Sequence, residues 1–143
     1  MRLLRWTFAV YLAAVLVVTC WPSPETTAAP GWALAVLDGF ASVGVPMSYA
    51  VLEAASNVVM FLPFGVLGLL VLVDARPEPG PWRAAGAVVL AGLVLSVAIE
   101  LSQLLIPGRV STVQDVVMNT TGAAVGAAAV AGILGRRRPL TSR

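Results

Sequence analysis

The sequence has no lysine and no histidine, and only 11% of its 143 residues are charged. Without histidine there is no imidazole to act as general base or metal ligand. Without lysine there is no amine for a Schiff base. The single cysteine, Cys20, excludes an intrachain disulfide and any cysteine-rich metal site. It reads as a small apolar residue at the end of a helix. The run LVVTC ends on a cysteine as a lipoprotein signal does, but Thr19 stands where such signals want a smaller residue. The arginines are scattered or terminal, with no aromatic interleaving, so nothing points to nucleic acid. No cofactor is implied.

What is abundant is apolar surface. A soluble domain carries about 25% charged residues. This chain combines its sparse charge with 59% apolar residues and a mean hydropathy of +0.91. The charge cannot coat a surface in water, which makes the lipid bilayer the expected solvent and partner. Four apolar runs, at about 3–21, 52–73, 84–106 and 115–135, approach or exceed the ~20 residues that a helix needs to cross it. The expected fold is all-α: an integral membrane four-helix bundle forming one domain over residues 1–143.

Arg2 and Arg5 precede the first run, and Trp21 closes it at the level of an aromatic belt. Its alternative is a cleaved signal peptide, with Thr26–Ala29 as the small-residue cleavage site. Between the first two runs, WALAVLDGFASV is too short to cross. It is either a short helix lying in the interface, with Trp32, Val36 and Phe40 at helical spacing, or a loop. In the second run Pro63 removes a backbone donor and crowds the carbonyl of Val59, so a kink is expected there, helped by Gly65 and Gly68. In the fourth, Gly122 and Gly126 form a GxxxG that lets another helix backbone approach. Ala87 and Ala91 offer the same on the third.

Counting arginines orients the chain. With the N-terminus inside the cell, eight of the nine arginines are cytoplasmic and only Arg109 is outside. Both termini are then cytoplasmic in a multi-pass cell-membrane protein, and the basic tail from Arg136 onward anchors to anionic lipid. The same orientation brings six polar residues to the outer third of the membrane. Glu53 and Asn57 open an inward-running helix and share a face at i, i+4. Glu100 and Gln103 close an outward-running one, and Asp115 and Asn119 open the next. Glu100 lies about 10 Å below the end of its run.

Each residue has a structural and a functional reading. Asp115 can cap its helix, and Glu53 is a first-turn acid favoured by the dipole. Glu100 sits near a helix C-terminus, where an anion is disfavoured, so it needs a partner or a raised pKa. Arg109 is the cation on that side, and a Glu100–Arg109 pair made purely for structure is one reading. Asn57 and Asn119 can be interhelical hydrogen-bond glue.

The polar positions form a recognisable set. N57-V-V-M-F-L-P-F-G65, I99-E-L-S-Q103, P107-G-R109 and D115-V-V-M-N119-T-T-G122 closely resemble the signature of the VanZ-like family, over residues 53 to 130. The resemblance marks Asn57, Pro63, Phe64, Gly65, Glu100, Gln103, Arg109, Asp115, Asn119 and Gly122. It implies a multi-span membrane protein. The family takes its name from a member that gives low-level resistance to teicoplanin, a glycopeptide acting on cell-wall precursors, and it brings no established reaction.

Two functions fit. In the first, the outer polar groups bind or modify an anionic or lipid-linked envelope molecule, such as a cell-wall precursor. Arg109 would hold its anionic group, Asn57, Gln103 and Asn119 would orient it by hydrogen bonds, and Glu53 joins the binding residues as a reserve acid. If bonds are made or broken, Glu100 and Asp115 are the candidate acid/base pair. A metal between them would be a hard cation, but the sequence gives no metal site. In the second, the protein is a non-enzymatic scaffold or partner subunit, and the polar cluster packs its helices together. Either function allows oligomers or another membrane partner.

Overall fold

The computed structural model describes residues 1–21, 31–106 and 111–136, which form five helices and no strand. In order they are α1 (Arg2–Cys20), α2 (Gly31–Ser42), α3 (Tyr49–Ala75), α4 (Pro81–Gln103) and α5 (Val113–Arg136). All but α2 are long and apolar enough to cross a membrane. The protein is an all-helical, multi-pass membrane bundle.

Local chemistry sets the helix ends. α3 begins three residues before its apolar run because Ser48 caps it, accepting the Val51 N–H at 3.4 Å. α4 begins at Pro81, which needs no donor in a first turn. It ends at Gln103 rather than 106. There the backbone tightens, with Leu105 N–H bonding Ser102 and Ile106 N–H bonding Gln103. The expected interfacial segment is helical. α2 buries Ala33 and exposes Trp32, Val36 and Phe40.

The core is made by α3, α4 and α5, and it is built from small residues. On α5, Gly122, Ala123, Gly126, Ala127 and Ala131 are all buried. A Cβ on Gly122 would strike the carbonyl oxygen of Val58, and one on Gly126 the carbonyl oxygen of Leu62. A Cβ on Gly65 would in turn strike the carbonyl oxygen of Ala123. The helices α3 and α5 therefore run side by side with their backbones in contact. In lipid, with no hydrophobic drive between helices, this approach supplies the dispersion contacts that hold them. Ala87 and Ala91, expected to pack, are exposed. The buried stripe of α4 runs instead through Ala84, Ala85, Val88, Gly92 and Ser96, because the helical period turns 87 and 91 outward.

α3 is helical through Pro63, and the two glycines expected to help a kink there lie at contacts with neighbouring helices. Gly65 admits α5, and a Cβ on Gly68 would lie 3.1 Å from Val88. The phenol of Tyr11 donates a hydrogen bond to the carbonyl of Met60, three residues before the proline. Phe64 meets Phe8 and Phe61, with ring centroids 5.6 and 5.9 Å away. α1 adds one stripe to this core, Phe8, Tyr11, Leu12 and Val15. Its other face, including Leu3, Trp6, Val10 and Val17, is exposed, as suits a helix facing acyl chains.

Candidate functional site

Four spans return the chain to the side where it started, so α1 and α4 finish, and α3 and α5 start, at the end away from the termini. There the polar side chains meet. Thr112 is the residue before α5, and its hydroxyl accepts the Asp115 N–H at 3.1 Å, capping the helix. Thr-x-x-Asp normally closes a reciprocal box in which the acid reaches back to the N–H of the cap residue. Here that N–H is taken by Glu100 of α4, whose Oε2 accepts it at 2.9 Å. Glu100 Oε2 also accepts the Ser111 hydroxyl at 2.6 Å. The Asp115 carboxylate is thereby released to face α3, where Asn57 Nδ2 donates to it. Asp115 lies in the first turn but is not the cap.

Gln103 and Asn119 are buried. Gln103 Nε2 donates to the Thr19 carbonyl at 2.9 Å. That carbonyl is in the last turn of α1, where the helix supplies no donors. Next to this contact Cys20 Sγ lies 3.5 Å from the Ser102 hydroxyl. One turn below Asp115, about 6 Å deeper, Asn119 Nδ2 donates to the fully buried Ser96 at 2.9 Å. The Asn119 carbonyl oxygen is also buried, and it has no hydrogen-bond partner among the described residues. An unmade bond of this kind costs about 1–3 kcal/mol.

Glu53 stands apart. It is exposed, with no hydrogen bond to a described side chain, although its charge is close enough to Asp115 for the two to repel. Arg109, and with it the Glu100–Arg109 pair, lies outside the described residues, as do Thr26–Ala29 and the tail beyond Arg136. Of the other sequence candidates, Asn57 and Asp115 touch, while Glu100, Gln103 and Asn119 bond to partners that sequence reasoning missed. Those partners are Ser111, Thr112, Thr19 and Ser96. Ser96 was the findable one, since it precedes Glu100 by one turn and Gln103 by two on the same buried stripe.

The model of the VanZ/LLP1 family matches residues 8–134. The chain belongs to the VanZ/LLP1 family. No curated protein and no solved structure matches it. The family match begins inside α1, well before the motif-bearing stretch that starts at residue 53. The helix whose last turn Gln103 caps is thus part of what this VanZ/LLP1 chain shares with its family. Phe64, Gly65 and Gly122 lie in the α3–α5 core, and Pro63 is half-buried beside them. The motif spans two settings: a packing core, and a polar end above it.

Proposed function

We propose that the polar end of this VanZ/LLP1 protein faces the outside of the cell and recognises an anionic or lipid-linked envelope molecule. Arg109 is assigned to the anionic group of that ligand, which its planar, always-charged fork suits. Asn57, Gln103 and Asn119 are assigned to orienting it, with Glu53 at the rim. Glu100 and Asp115 are the acids on hand if bonds are exchanged. The observation that carries this reading is the buried carbonyl of Asn119, one helical turn below Asp115, which has no hydrogen-bond partner among the described residues. It is an acceptor that a hydroxyl or N–H donor of the ligand would satisfy.

The arginine distribution supports the orientation, with both termini cytoplasmic. The capping of α1 by Gln103 supports a retained first span. Labelling tests the topology: in a Cys20→Ala background, Val113→Cys should react with an impermeant maleimide from outside whole cells, and Glu78→Cys only after lysis. The reverse pattern would invert the orientation.

A scaffold role is favoured by one fact: among the described residues, Asn57, Glu100, Gln103 and Asp115 all hydrogen-bond within the bundle. The two readings separate on what the purified protein carries. Mass spectrometry of protein extracted in mild detergent should find a retained lipid-linked or cell-wall precursor, and Arg109→Lys should lose it. A parent protein that carries only bulk phospholipid at this end, with Arg109→Lys indistinguishable from it, would favour the scaffold.

A further inference from the structure

At the other end of the bundle, beside the termini, a groove of about 600 Å³ lies between the start of α4 and the end of α5. It is lined by Pro81, Trp82, Gly132, Gly135 and Arg136. The two glycines keep it open. A Cβ on Gly132 would meet nothing within 4 Å, and one on Gly135 would meet only the indole nitrogen of Trp82, at 3.6 Å. The polar side chains lining it can only donate: the Trp82 indole N–H and the Arg136 guanidinium. No acid lines it. Among the described residues the one ion pair is Arg5–Asp74, which joins α1 to α3, so neither Arg136 nor the adjacent Arg83 has an acidic partner there.

We infer that this groove seats the phosphate of an anionic phospholipid. Its place fixes the choice of lipid over a soluble anion. The groove is at the first residues of one span and the last of another, the level of the headgroups. The helices that wall it carry exposed Ile133 and Leu90 toward the membrane interior, where acyl chains would lie. Basic pockets between spans are a known setting for acidic headgroups. A basic tail attracts such lipids diffusely. A groove floored by glycine does more, because it holds one headgroup at one position. The inference concerns the opposite end from the proposed envelope site and does not depend on it.

The test is native mass spectrometry in detergent with added phosphatidylglycerol or phosphatidylcholine of identical acyl chains. Phosphatidylglycerol should be retained roughly tenfold more strongly. Arg136→Gln should remove most of that preference. Gly132→Leu, which keeps every charge but fills the groove, should remove it equally, and Trp82→Leu should reduce it. Arg2→Gln, which also deletes one charge at this end, should leave it unchanged. Should Gly132→Leu accumulate poorly, Trp82→Leu carries the same comparison, since Trp82 is exposed and its loss keeps all the arginines. A preference that survives both filling the groove and losing the indole, but falls alike with each arginine, would mean diffuse attraction and overturn the inference. So would equal retention of the two lipids, or displacement of the lipid by millimolar inorganic phosphate.

Discussion

The contact between α3 and α5 is made in two ways along its length. In its body the helices touch through absent side chains: Gly122 and Gly126 lie against the carbonyls of Val58 and Leu62, and Gly65 against that of Ala123. At the end away from the termini they touch through an added one, the Asn57 amide donating to Asp115. The first kind of contact fixes a distance between backbones and tolerates no substituent. The second holds a carboxylate against the neighbouring helix through a hydrogen bond between side chains. Both lie in one stretch of motif, which therefore joins residues that pack two helix backbones to residues that make a polar contact at the end of the bundle.

Substitutions can break this contrast, beginning with the backbone contacts. Gly122→Leu drives a side chain into the α3 backbone, beyond the ordinary overpacking penalty of about 1–3 kcal/mol. Folded protein should be lost from detergent extracts by fluorescence-detected gel filtration. Gly86→Ala, at an exposed position with nothing within 4 Å, should accumulate like the parent. Equal behaviour of the two would refute the packing role.

At the polar end the effects should be smaller and selective. Glu100→Ala removes the acceptor of the Thr112 N–H, so Asp115 is expected to swing back and complete its own capping box, abandoning Asn57. A double-mutant cycle for Asn57 and Asp115 should then show their coupling, about 1 kcal/mol in the parent, fall to near zero in the Glu100→Ala background. Glu100→Gln keeps an acceptor of the same shape and should preserve most of it. An unchanged coupling in Glu100→Ala would mean that Glu100 does not release Asp115.

Smaller still is the expected cost of the pair Asn119→Leu and Ser96→Ala. Replacing both polar partners by apolar groups, and with them the unpaired carbonyl, is near neutral. The thermal midpoint should hold or rise. If the amide is glue, the midpoint should drop. Tyr11→Phe, which removes the bond to the Met60 carbonyl, should lower stability by about 0.5–1.5 kcal/mol and leave the polar end untouched.

The sequence was most readable where physics has period and sign. Apolar length placed the four spans, because a bilayer imposes a length on anything that crosses it. The GxxxG on α5 announced close packing for the same kind of reason. Partner choice was less readable. Glu100 demanded a partner; the Arg109 expected beside it lies outside the described residues, and the two partners described, the Ser111 hydroxyl and the Thr112 N–H, carry no charge to advertise them. Ala87 and Ala91 misled because a small residue is compatible with a helix contact on any face, and only the three-dimensional register says which face is turned in. Thr19 was hidden differently. What Gln103 uses is its carbonyl, which every residue has.

The central claim is that the polar end is a site and not merely the fastening of the bundle. It is tested most directly by measuring thermal midpoint and co-purified envelope lipid in the same samples of parent and Asp115→Asn. Asparagine can still accept the Asn57 N–H but has lost the charge, so the midpoint should stay within about 2 °C while the retained molecule disappears. If lipid content and midpoint fall together, or neither changes, the claim is contradicted.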